Sequence, residues 1–185
     1  MCGIVGYIGP NESKKILLDG LKELEYRGYD SAGIAIMQQK SVHLFKAVGK
    51  IVNLEEKAKG FTSEDMCAGI GHTRWATHGK PTELNAHPHM GENSFVVHNG
   101  IIENYATLKK ELTAQGVNFL SQTDTEVIVH LFEKMVLSST TPLEAFKATI
   151  DKLEGAFALL LITKDAPNTI FFAKKGSPMI IGTNQ

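Results

Sequence analysis

The 185 residues are enough for one domain, which at this size buries about 70% of its unfolded surface. Hydrophobic residues make up 43% and charged residues 21%, ordinary values for a soluble globular chain. A formal net charge of −1, with no block of five or more like charges, leaves no electrostatic footprint for nucleic acid or a membrane surface.

No apolar run reaches the length of a membrane span, and no basic stretch followed by an apolar core opens the chain. Both features point to a cytoplasmic protein. The two cysteines, Cys2 and Cys67, therefore do not argue for a disulfide. Cys67, within Met66-Cys67-Ala68-Gly69-Ile70, reads as a small hydrophobe in a strand.

In chain order, residues 4–8 predict a strand ended by Gly9-Pro10. Asn11 or Ser13 can cap a helix with Leu17, Leu21 and Leu24 on one face and Gly28 closing it at the C′ position. Residues 32–37 and 42–47 predict two strands joined by Gln38-Gln39-Lys40. A short helix over 51–59 and a strand over 66–72 follow. The stretch from Thr73 to Asn93 holds two glycines and two prolines but little hydrophobic periodicity. Connections of this length are usually functional or disordered, and the Arg, Trp and histidines here favour function. Residues 94–98 predict a strand ended by Asn99-Gly100, then a helix over 104–115 closed by Gly116. Thr123 or Asp124 can cap a further helix with Val127, Ile128, Leu131 and Phe132 inward. Thr141-Pro142-Leu143-Glu144 is a strong start signal for a helix ending near Gly155. Strands over 157–163, 170–175 and 179–182 close the chain. Short turns between strands and helices grouped in blocks predict an α+β layered sandwich with antiparallel sheets, without a visible domain boundary across residues 1–185.

Several constellations could carry chemistry. Removal of Met1 would leave Cys2 with a thiol and a free α-amine, a nucleophile and a base on one residue. Their unperturbed pKa values, about 8.5 and about 7.7–8.0, make proton exchange nearly thermoneutral; the plainer reading is an initiator followed by a small residue. Arg27-Gly28-Tyr29-Asp30-Ser31 offers either ligand contacts or a capping turn with a surface ion pair. In the run from Gly71 to Gly79, Arg74 could grip a carboxylate and Gly79 with Pro81 could hinge a lid, or the loop could simply pack its Trp75 into the core. Five histidines lie between His72 and His98, but their spacing matches no recognised metal-ligand set. Asn99 and Gly100 hold the material of an oxyanion hole, or of a plain turn. Asp124 could receive an ammonium group, or cap a helix.

Taken in order, Cys2-Gly3-Ile4-Val5-Gly6, the Arg27–Ser31 run, the run from His72 to Gly79, Asn85-Ala86-His87-Pro88, His98-Asn99-Gly100 and Thr123-Asp124-Thr125-Glu126 resemble the glutaminase domains of glucosamine-6-phosphate synthases. These are class II glutamine amidotransferases with an N-terminal nucleophile, and the resemblance spans nearly the whole chain. It implies a four-layer αββα sandwich of two antiparallel sheets, the Ntn-hydrolase type. It implies Cys2 as nucleophile with its α-amine as base, and an oxyanion hole from the Asn99 side chain and the Gly100 N–H. Arg74 would bind the α-carboxylate of L-glutamine and Asp124 its α-ammonium, with Thr77 and His78 helping from the loop. Arg27 would lie near the nucleophile, His87 and His98 would support the pocket wall, and residues 73–81 would close as a lid with Trp75 near the ammonia exit. No metal or other cofactor is expected. The family continues into a sugar isomerase domain that these 185 residues do not include. The isolated chain should be a monomer releasing ammonia to solvent, whereas the full enzyme is dimeric. Two other readings are a non-catalytic glutamine-sensing module of the same fold and a metal hydrolase.

Overall fold

The computed structural model describes residues 2–63, 66–75 and 79–183. The first half runs β1 (Gly3–Gly9), α1 (Ser13–Leu24), β2 (Ser31–Gln38), β3 (Ser41–Val48), α2 (Ile51–Lys57) and β4 (Cys67–Arg74). Its strands form one antiparallel sheet in the order β1-β4-β2-β3. The second half runs β5 (His89–Met90), β6 (Ser94–Gly100), α3 (Tyr105–Ala114), α4 (Glu126–Val136), α5 (Pro142–Asp151), β7 (Phe157–Thr163) and β8 (Phe171–Lys175). These strands form a second antiparallel sheet, β5-β6-β7-β8.

Alternation along the strands decides what each sheet face meets. Ile34 and Ile36 of β2 face outward against Leu17 and Leu21 of α1 and Ile51 and Leu54 of α2, with Cys67 buried among them. Their neighbours Ala35 and Met37, with Ala68 and Ile70 of β4, face the other sheet and meet Phe95, Val97, Leu160 and Ile162. The opposite face of that second sheet, with Val96, Leu159 and Leu161, packs on Val127, Ile128, Phe132 and Phe146 of α4 and α5. The stacking is helix, sheet, sheet, helix, as the resemblance implied. Strands covered on both faces read as near-continuous buried runs, and β4 and β7 are buried along their whole length.

Four local expectations are corrected. Neither Asn11 nor Ser13 caps α1: Glu12 holds the cap position without a side-chain bond, and Ser13 is already the buried first helical residue. Gly28 does not close the helix in a left-handed conformation. A single 3₁₀ turn, Glu25–Arg27, extends α1, and Gly28 is extended at φ −173°. Glycine is needed there for close approach, because a Cβ would sit 2.7 Å from the Arg74 carbonyl carbon. The helix expected from Thr123 or Asp124 begins at Glu126, and Asp124 spends a carboxylate oxygen on the Ile102 N–H instead. Residues 179–182 form no strand. Ile180 and Ile181 are 96% and 65% exposed, and an apolar run without a neighbouring strand to bond has nothing to hold it extended. The start signal at Thr141 holds: its Oγ1 accepts from the Glu144 N–H at 3.2 Å, with Pro142 next to it. Gly116 closes α3 at φ +87°, as expected.

Candidate active site

The layer between the sheets is apolar through its middle and turns polar at one end, where β1 starts and β4 and β6 finish. Cys2 stands just before β1. Gly3 lies opposite Thr73 of β4 and donates its N–H to Thr73 Oγ1 at 3.1 Å. A side chain at Gly3 would collide with Leu24 of α1, whose Cβ is 2.7 Å from the site of the missing Cβ. The backbone that delivers Cys2 is therefore pressed between a helix and a neighbouring strand.

Just past β4, the Trp75 N–H donates to the Cys2 sulfur at 3.2 Å. From the other sheet, Asn99 Nδ2 donates to the Cys2 carbonyl at 3.1 Å, and Asn99 Oδ1 lies 3.0 Å from His72 Nε2. Gly100 adopts φ +125°, and a Cβ there would lie 2.1 Å from the Ala156 carbonyl oxygen. Only glycine fits that position. Burial pushes the Cys2 thiol pKa up; the Trp75 N–H opposes this, Asp30 adds to it and Arg74 counters it.

Arg74 is buried at the end of β4. Its guanidinium donates to the carbonyls of Lys80 at 3.4 Å and Gly79 at 3.3 Å, and stands 3.7 Å from Asp30 Oδ1. The Arg27–Ser31 segment packs on this point. Asp30 donates its N–H to the Arg74 carbonyl at 3.2 Å, and Ser31 Oγ donates to Asp30 Oδ1 at 2.9 Å. The Tyr29 and Trp75 rings meet edge to face at 5.6 Å, both about half exposed. Trp75 thus keeps its backbone at the thiol and its ring at the surface, and does not pack into the core. Arg27 sits on the single turn that leads into this segment. Thr77 and His78 lie outside the described residues, and so does the middle of the expected lid.

His72, His87, His89 and His98 are all buried. His72 and His87 stack at 4.0 Å between ring centroids, and His89 meets His87 edge on at 4.7 Å. His87 Nε2 and His98 Nδ1 each lie 2.9 Å from Thr125 Oγ1, and His89 Nε2 lies 3.0 Å from Thr123 Oγ1. Burial lowers the pKa of all four; for His72 it falls to about 3, and for His98 to about 4 despite the Asp124 charge. These rings are neutral near pH 7. Among the described residues, no group of three or more His, Cys, Asp or Glu side chains is placed to hold a metal.

Asp124 stands on a loop fixed from below by Glu126. The Glu126 carboxylate accepts the N–H groups of Leu120 and Ser121, both at 2.7 Å, and the Ser121 hydroxyl at 2.6 Å. Burial pushes the Glu126 pKa up, but His130 and these donors together hold it down at about 2. Asn85 ties this loop to the one beside Arg74. Its Nδ2 donates to the Lys80 carbonyl at 3.0 Å and to Gln122 Oε1 at 3.1 Å, while its Oδ1 accepts from the Gln122 N–H at 2.9 Å. Sequence reading gave no role to His72, Asn85, Thr125 or Glu126, although each lies inside one of the motifs. A surface hollow of about 770 Å³ runs along α3, lined by Tyr105, Lys109 and Gln122 among others; Cys2 does not line it.

Comparison with known proteins adds an independent line. Residues 72–182 match the model of a glutamine amidotransferase domain family. The chain is 61% identical over 184 residues to the glutamine–fructose-6-phosphate aminotransferase (isomerizing) of Campylobacter jejuni, covering 100% of this chain and 31% of that protein. It is 56% identical to the Helicobacter pylori protein of the same name, over 98% of this chain and 30% of that one. It thus spans about a third of the length of the curated relatives it matches. Among solved structures, the glutamine phosphoribosylpyrophosphate amidotransferase of Bacillus subtilis superposes with a TM-score of 0.76 at 28% identity, over 89% of this chain and 35% of that one.

Proposed function

The chain belongs to the glutamine amidotransferase domain family, and we propose that it hydrolyses the side-chain amide of L-glutamine to glutamate and ammonia through a thioester on Cys2. The observation that carries this reading is the convergence on Cys2 of the Trp75 N–H, from one sheet, and the Asn99 amide, from the other. A nucleophile beside a fixed side-chain amide at the end of a strand is the arrangement that acyl transfer uses.

The reaction needs the chain to begin at Cys2, so that the α-amine is free. The amine takes the thiol proton and the thiolate attacks the amide carbon of glutamine. The tetrahedral oxyanion is held by Asn99 Nδ2 and the Gly100 N–H. As the C–N bond breaks, the protonated amine passes its proton to the leaving nitrogen, which departs as ammonia and leaves a glutamyl thioester. Water, deprotonated by the same amine, attacks the thioester and releases glutamate and the thiol. Arg74 holds the substrate α-carboxylate and Asp124 the α-ammonium. Thr77 and His78 help to bind glutamine, Arg27 backs the nucleophile, and His87 and His98 support the pocket wall. No metal enters this scheme.

The whole chain acts as one glutaminase domain. In the longer protein it would supply ammonia to a sugar isomerase domain that makes glucosamine 6-phosphate from fructose 6-phosphate, as a dimer in the cytoplasm. No helix among the described residues is long and apolar enough to cross a membrane. The test is glutamate release from glutamine by the chain beginning at Cys2, with intact mass before and after an electrophilic glutamine analogue. Turnover that Cys2→Ala abolishes and a chelator leaves untouched, with the label on Cys2, supports the reading. Binding without turnover would make the chain a glutamine sensor, chelator sensitivity would favour a metal hydrolase, and label on Cys67 would sink the assignment of the nucleophile.

A further inference from the structure

We propose that His72 is a positioning residue that fixes which way the Asn99 amide points, and through it whether the oxyanion hole exists. The inference rests on the glutaminase reading for its kinetic consequence, but the geometry stands apart from it. A side-chain amide has two ends of similar shape, one donating and one accepting, and a half-turn about its last bond exchanges them. Only the donating end can stabilise an oxyanion.

The neighbours of Asn99 decide the orientation. On one side, at 3.1 Å, is the Cys2 backbone carbonyl, which can only accept. The amide must therefore turn its NH₂ toward Cys2. One of the two protons goes to that carbonyl, and the other is left for the reacting centre. The opposite end, Oδ1, then faces His72 Nε2 at 3.0 Å and requires a donor there. A neutral imidazole carries one N–H, so His72 must carry it on Nε2. A proton on Nδ1 instead would set the bare Nε2 lone pair against Oδ1, favouring the half-turn that points the carbonyl at the nucleophile.

The ring has little freedom to do otherwise. His72 lies in β4 between Ile4 of β1 and Gly33 of β2, with no exposed surface, and is stacked on His87 at 4.0 Å. The strand fixes the backbone, the His87 ring fixes the plane, and the donor faces the other sheet. The His72–Asn99 bond is thus a polar contact between the two sheets at the end of an otherwise apolar layer. Residues that orient reacting groups in this way set the rate without touching substrate.

The test uses the chain beginning at Cys2. His72→Phe keeps a ring for the stack and removes the donor, while His72→Gln restores an N–H donor. Expected for His72→Phe is a fall in kcat of about 10- to 100-fold, below the roughly 10²–10³ for loss of a hole donor itself, with KM changed less than about threefold. His72→Gln should recover at least about tenfold of that loss. In the double variant with Asn99→Ala, His72→Phe should cost nothing further, because both act on one group. Alkylation of Cys2 by iodoacetamide, which forms no oxyanion, should proceed at the wild-type rate. Equal kcat in His72→Phe and wild type, or additive losses in the double variant, would overturn the inference. Nitrogen-15 NMR of the wild-type rings is decisive even where His72→Phe fails to fold: an Nε2–H tautomer at His72 supports the proposal and an Nδ1–H tautomer refutes it. A wild-type chain that releases no glutamate refutes the glutaminase reading alone, since the tautomer is read without turnover.

Discussion

The two ends of the layer between the sheets use the same strands and the same alternation, yet one end is a sealed core and the other the candidate site. At the apolar end, Ala68 and Ile70 of β4 meet Phe95 and Val97 of β6. Two residues further along each strand, His72 and Asn99 occupy the corresponding positions and meet through a hydrogen bond. The backbone provides the same address in both places. Only the side chains change, from groups held by exclusion of water to groups that must satisfy one another's polar atoms.

Breaking the polar end should cost catalysis as well as stability, and breaking the apolar end should cost stability alone. The largest effect expected is from Cys2→Ala, which abolishes glutamate release in a steady-state assay while leaving thermal unfolding within a degree or two of wild type, about what a ±0.5 kcal/mol surface change gives. Asn99→Ala should lower kcat by about 10²–10³ with little change in KM. Third comes acid. His72, His87, His89 and His98 are held neutral by burial, so on acidification the unfolded chain takes up protons that the native chain refuses. Stability should therefore fall as pH drops below the unfolded value of about 6.5, by up to about 1.4 kcal/mol per pH unit for each ring. Thermal melts between pH 7 and 5 read this slope. Glu126→Gln should cost about 1–3 kcal/mol in urea unfolding, from a hydrogen-bonded carboxylate left with a mismatched donor. The Glu126 carboxylate itself, depressed to about 2, keeps its contribution above about pH 4.5 and loses it as pH falls through 2. The smallest effect is at the sealed end: Ile70→Val should cost about 0.5–1.5 kcal/mol with kcat of the folded protein unchanged.

Much of the architecture was legible because alternation and capping are local. The paired strands over 31–48, the Thr141-Pro142 helix start and the Gly116 stop follow from residues a few positions apart. What misled were signals whose meaning depends on distant neighbours. Gly28 looks like a helix stop but is a clearance for the Arg74 backbone, and Asp124 looks like a cap but bonds Ile102. The stretch over 179–182 has strand composition without a strand to pair with. In the site, Cys2, Arg74, Asn99 and Asp124 were readable as chemistry-bearing types in a motif order. The supports were not. His72 finds Asn99 across two sheets, and Asn85 finds Gln122 between two loops. No local pattern encodes either pairing.

Thr125 carries a consequence in the number of its protons. Its hydroxyl lies 2.9 Å from a ring nitrogen of His87 and 2.9 Å from one of His98, yet has a single hydrogen to give. It can donate to one ring only, while its two lone pairs can accept from both. The two neutral histidines therefore cannot both present a bare nitrogen to it: at least one must carry its hydrogen on the nitrogen that faces Thr125. Serine at this position would preserve that constraint, and valine would leave each ring to choose alone.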